Sequence, residues 1–164
     1  MNVALGGTFD PVHDGHRKLF ERAFELGDVT VGLTADDLAP KTRHVERYVR
    51  PYRCRKRDLE AELDALAEEH DRTFTVRELE APTGIAVEPQ FDALIVSPET
   101  KAGGERITEI RGAPGREPLA LVVVAHVPAA DGERISSTRI VAGEIDEHGR
   151  LPPEREGREA TRPE

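Results

Sequence analysis

The 164-residue chain is predicted to fold as a single Rossmann-like α/β domain, a five-stranded parallel sheet with helices on both faces. Three observations carry that expectation. Strand-like apolar runs alternate along the chain with segments of helical period, the pattern of parallel strands joined by right-handed crossovers. The runs FDALIV (91–96) and LALVVVAHV (119–127) are nearly continuous in apolar character, as in strands covered on both faces. A chain of 164 residues, 37% hydrophobic, is long enough for one core and short for two.

The elements follow in order. NVALGG (2–7) is a short apolar strand stopped by glycines, and GHRKLFERAFELG (15–27) places Leu19, Phe20, Ala23 and Phe24 at helical spacing before Gly27 closes the helix. DVTVGLT (28–34) is the second strand. RPYRCRKRDLEAELDALAEEH (50–70) is a long charged helix with Leu59, Leu63 and Leu66 on one stripe. TFTVREL (73–79), FDALIV and LALVVVAHV are the remaining strands, with GGERITEIRG (103–112) as a short helix or loop between the last two. SSTRIVAGEI (136–145) is a final helix whose serines and threonine suit its N-cap. The domain is expected to span residues 1–150. RLPPEREGREATRPE beyond Gly149 is charged, proline-containing and almost free of apolar residues, so 151–164 is expected to be a disordered tail.

Composition bounds the setting. Cys54 is the one cysteine and excludes an internal disulfide; no apolar leader precedes the first strand, and no stretch approaches the roughly 20 apolar residues that span a bilayer. A cytoplasmic protein is expected. Acidic residues outnumber basic ones 32 to 23, a net charge of -9, which argues against nucleic-acid and membrane partners. Among the basic residues only Lys18, Lys41, Lys56 and Lys101 are lysines. This acid-rich, lysine-poor usage resembles that of proteins from salt-loving archaea, although a GC-rich genome also favours arginine.

The segment GGTFDPVHDGH (6–16) concentrates the candidate chemistry. In doubly wound sheets ligands sit at the carboxyl ends of the strands, and Gly6 and Gly7 end the first one, where the lack of a Cβ lets a phosphate approach the backbone. The helix that follows offers N–H groups and a dipole to an anion, flanked by His13 and His16. Capping or packing is the alternative for both rings. Zinc would need three or four ligands, and His44, His70, His126 and His148 form no second cluster, so no metal site is expected.

GTFDPVHDGH resembles the T/HxGH signature of nucleotidyltransferases, with HDGH as its core, and ISSTRI (135–140) resembles the serine-rich second signature of that superfamily. Within it the chain is most similar to the archaeal phosphopantetheine adenylyltransferases. The similarity runs through GGTFDP, TADDLAPKTR, RPYRCRKRDLEAEL, FDALIVSPET, GGERITEIR and ISSTRIVAGEIDEHG, over about residues 2–150. One departure is Thr108, where the family has an asparagine three residues before an arginine, here Arg111.

The resemblance implies transfer of AMP from ATP to 4'-phosphopantetheine, with Mg2+ carried by the ATP. It implies His16, Lys41 and Arg111 as catalytic residues, the last two with Thr8 at the substrate phosphate. Gly7, Thr8, Phe9, His13, His16, Ser136, Ser137 and Thr138 would bind the nucleotide. Asp10 is read either as an Asx turn before Pro11 or as a ligand. Arg43, Arg106 and Arg139 are nearby cations with no assigned role. Other acceptors (NMN, FMN), a cytidylyl donor, or a non-catalytic nucleotide sensor are the alternatives; oligomeric state is not legible.

Overall fold

A computed structural model describes residues 1–38, 48–80, 85–112 and 119–153. Strands β1 (Asn2–Gly7), β2 (Asp28–Thr34), β3 (Phe74–Leu79), β4 (Ala93–Val96) and β5 (Ala120–Val123) form one sheet in the order β3-β2-β1-β4-β5, and every neighbouring pair is parallel. Four helices join or follow them: α1 (Asp14–Leu26), α2 (Tyr52–His70), α3 (Lys101–Arg111) and α4 (Ser137–Val141). The chain winds outward from β1 to β3, returns to the other side of β1, and winds outward again. Strand order therefore reverses between β1 and β4, which opens a crevice at their carboxyl ends.

Alternation along the strands divides the core. Val3 and Leu5 of β1 and Ala93 and Ile95 of β4 face Phe20 and Phe24 of α1 and Leu59 and Leu63 of α2. Ala4, Leu94 and Val96 point the other way, against Ile107 of α3 and the chain segments carrying Phe91 and Leu119. Helices thus cover both faces. Each fully buried Leu or Phe here contributes roughly 1.5–3 kcal/mol relative to exposure, and that burial, rather than propensity, holds the charged α2 in place.

Three expectations are corrected. β5 stops at Val123 and lies at the sheet edge, with Val123 44% exposed, so its apolar run is not covered on both sides. The last helix covers five residues rather than ten, because Gly143 adopts φ +79, in the left-handed region where a right-handed helix cannot continue. Leu151, assigned above to the tail, is buried with Ala129, Ile135 and Ile145 in a third apolar cluster; residues 154–164 lie outside the described residues. No helix among the described residues is long and apolar enough to cross a membrane.

Candidate active site

The turn from β1 into α1 builds the floor of the crevice. Phe9 has φ +48, a conformation that costs a non-glycine residue free energy and persists only where packing over-determines it. Its ring is buried, 5.3 Å from Phe20 and edge-on to His16 at 4.8 Å. Gly7 is crowded for a local reason: a Cβ there would lie 3.0 Å from the Phe9 ring, which would have to give way. Asp10, 4% exposed, is neither an Asx turn nor open to a ligand; its carboxylate accepts from the Arg50 backbone N–H (2.8 Å) and from Arg50 Nε (2.6 Å), fastening this turn to the approach to α2.

The helix start differs from the expectation in an informative way. Its N–H groups are not left open to an anion. His13 is the N-cap, and its Nδ1 accepts from the N–H groups of Gly15 (3.0 Å) and His16 (3.4 Å), while His16 Nδ1 accepts from the His13 N–H (3.3 Å). Asp14 N–H donates to the Glu147 carbonyl and Arg17 N–H to the His13 carbonyl. The two histidines form a reciprocal capping box, the arrangement usually made by Ser or Thr with Glu. With both Nδ1 atoms accepting, each neutral ring carries its proton on Nε2. The rings stack at 3.7 Å with 20° between planes. Burial, with the charge of Arg17 adding to it, lowers the His13 pKa to about 4, so this ring is neutral at pH 7.

The serine motif docks on the same turn. Ser136 caps α4 by accepting from the Arg139 N–H (3.2 Å), and Ser137 Oγ donates to the Pro11 carbonyl (2.7 Å). Arg139 is held by Asp131 and the Arg134 carbonyl. Gly7, Thr8, Phe9, His13, His16 and the Ser136–Thr138 segment therefore meet at one place.

Arg111 does not join them. It ends α3, which runs back from the carboxyl to the amino ends of β4 and β5. There it is 1% exposed, its Nη1 donating to the carbonyls of Ala86 (3.0 Å) and Glu88 (3.1 Å) in the segment before β4. At this end of α3 Arg111 makes a structural tie to the segment before β4, where the resemblance implied a phosphate clamp. Thr108 turns its hydroxyl onto its own helix, at the Glu105 carbonyl (2.6 Å). Lys41 lies outside the described residues.

A family model described as cytidylyltransferase-like matches residues 4–143. The phosphopantetheine adenylyltransferase of Methanosarcina mazei is 43% identical over 155 residues, 93% of this chain and 97% of that protein. That of Archaeoglobus fulgidus is 37% identical over 162 residues, 91% of this chain and 98% of that protein. The chain belongs to the phosphopantetheine adenylyltransferase family. A solved structure of an A. fulgidus protein, titled as of unknown function, superposes with a TM-score of 0.66 at 30% identity, over 83% of this chain and all of that one.

Two groups in this family member's crevice escaped the sequence reading. At the carboxyl ends of β4 and β5, Glu99 pairs with His126 Nδ1 (2.7 Å) and Arg134 Nε (3.1 Å). Burial opposes the Glu99 charge, but a hydrogen bond with Ser97 and those two neighbours hold its pKa below the usual carboxylate range. The charges of Arg134 and Glu99 both reach His13. The second is Arg55, fully buried where β1 and β2 end. Glu99 stands inside the quoted segment FDALIVSPET and Arg134 directly before ISSTRI, beside residues that drew attention first; Arg55 is one of four arginines in RPYRCRKR, and only the fold selects it.

Proposed function

We propose that the chain transfers AMP from ATP to 4'-phosphopantetheine, giving dephospho-CoA and pyrophosphate. The observation that carries the reading is the reciprocal capping of α1 by His13 and His16, which engages both Nδ1 atoms and leaves the Nε2 edges of the two rings as donors at the strand-order reversal. An oxygen of the acceptor phosphate attacks the α-phosphorus; that O–P bond forms as the bond to the bridging oxygen breaks, and its electrons leave on pyrophosphate. The nucleophile is already an anion, so alignment and charge stabilisation suffice and no protein nucleophile is required.

His16 would donate to the α- and β-phosphate oxygens as charge shifts toward pyrophosphate, and His13 would hold the phosphates in register. Thr8 would donate to the attacking phosphate, with the Gly7 and Phe9 backbone beside it. Ser136, Ser137 and Thr138 would border the β- and γ-phosphates, and Arg134, whose charge reaches His13, could follow them. Lys41 would bring a point charge to the acceptor phosphate, as the family resemblance implies. Magnesium would arrive on the triphosphate. Among the described residues no group of three or more His, Cys, Asp or Glu could hold a metal ion, so no step is assigned to a protein-bound one.

Pyrophosphate release, measured with ATP or CTP against 4'-phosphopantetheine, NMN and FMN, tests the proposal. Turnover is expected with ATP and phosphopantetheine. Activity on NMN or FMN with none on phosphopantetheine would reassign the acceptor, and ATP binding without turnover on any acceptor would make the chain a nucleotide sensor.

A further inference from the structure

Arg55 lies one turn into α2 with no exposed surface, and its guanidinium reaches four acceptors. Nε donates to the Arg50 carbonyl (2.8 Å) and Nη2 to the Asp36 carboxylate (3.1 Å). Nη1 is shared between the Thr8 carbonyl (3.2 Å) and Thr34 Oγ1 (3.3 Å), and Thr34 Oγ1 is in turn 2.9 Å from Thr8 Oγ1. Between two hydroxyls either can donate, but the surroundings break the symmetry. A hydroxyl has one proton and two lone pairs. Thr34 is 2% exposed, so its proton needs a protein acceptor, and the one recorded among the described residues is Thr8 Oγ1. The guanidinium on the Thr34 oxygen also polarises that O–H into a better donor. Thr8 is only half-buried, at the crevice. Its oxygen accepts, and its own proton is left to point outward.

We infer that Arg55, acting through Thr34, fixes the Thr8 hydroxyl as a donor toward the acceptor's phosphate, so that Arg55 and Thr34 are positioning residues for the acceptor half of the site. The inference rests on the proposed reading in which Thr8 meets that phosphate. A hydroxyl set in this direction suits an anionic oxygen and rejects a ligand group that itself needs an acceptor there.

The test is a double-mutant cycle in steady-state kinetics with ATP and 4'-phosphopantetheine. Thr34→Val keeps the shape and removes the hydroxyl, Thr34→Ser keeps the hydroxyl, and Thr8→Val removes the proposed donor. Thr8→Val is expected to raise the acceptor KM about tenfold, the scale of one hydrogen bond to a charged group, and Thr34→Val to raise it about threefold with its ATP KM unchanged. Thr34→Ser should behave as wild type, and the double Val variant no worse than Thr8→Val. Losses that multiply, a serine variant as poor as the valine one, or an ATP KM altered by Thr34→Val would overturn the inference. Should wild type not use phosphopantetheine at all, the proposed function fails separately. The same variants are then titrated with inorganic phosphate by calorimetry: the same non-additive pattern upholds the relay, and multiplying losses or no phosphate binding by wild type overturns it.

Discussion

His13 unites two roles that in the sequence stand as alternatives, since its Nδ1 caps α1 while its Nε2 edge remains a donor. Protonating Nδ1 would break the cap. The folded pKa of about 4 lies below the ordinary 6.5, so between these values the unfolded chain binds a proton that the folded chain refuses. The contribution to stability is complete above pH 6.5 and is lost as pH falls toward 4, by on the order of 3 kcal/mol. His13→Asn retains a capping oxygen and does not titrate. Thermal melts across this range should therefore fall more steeply for wild type than for the variant, and parallel profiles would remove His13 as the source. His16→Ala should lower kcat about a hundredfold or more while nucleotide affinity, followed by calorimetry, changes far less, since its donor acts mainly as charge develops. The sequence drew attention to both histidines of the turn into α1, but for a partly different reason. HDGH read as histidines flanking open helix N–H groups, whereas the His13 ring itself occupies two of those groups, and histidine is too uncommon an N-cap for spacing to reveal it. Arg111 misled because an arginine at a family position carries no sign of whether it faces solvent or two carbonyls.

At the scale of elements, α1 is held to its task by the residue between its histidines. A Cβ on Gly15 would sit 2.8 Å from His13 Cε1 and 3.0 Å from Nδ1. Replacing glycine by alanine in a helix ordinarily gains up to about 1 kcal/mol. Gly15→Ala is instead expected to displace the capping ring and lower kcat roughly tenfold, with little gain in melting temperature, because the lost cap offsets the better propensity. Unchanged turnover would mean that the ring yields without consequence. The strands β1, β2 and β4 and the helices α1 and α2 were legible because their apolar periodicity coincides with the faces they bury. β5 was legible as a strand and misread as one covered on both faces, since LALVVV has the same composition at an edge as inside a sheet, and edge position is set by the order of all five strands. α4 was read twice too long because SSTRIV and AGEI look alike in propensity, and Gly143 acts through its backbone conformation.

For the whole molecule the excess of acidic groups sets the response to salt. If the net charge of -9 is an adaptation to brine, self-repulsion destabilises the fold at low ionic strength and screening relieves it, as the Debye length shrinks from about 30 Å at 0.01 M to about 3 Å at 1 M. The melting temperature should then climb from millimolar into molar KCl, although pairs such as Arg17 with Glu62 weaken along the way. Equal stability at both ends would leave the preference for arginine to genome composition. The third apolar cluster has a temporal meaning as well. The sheet is complete at Val123, yet Ser137 reaches back 126 residues to Pro11, and His148 pairs with Asp14 across 134. During synthesis from the amino terminus the sheet can assemble well before the rim of the crevice exists, and contacts of such sequence separation form late. A ribosome that stalls after β5 would release a protein with its whole sheet and half a phosphate site. Competence for turnover therefore reports that translation has passed Leu151, which closes the cluster against Ile135 and Ile145.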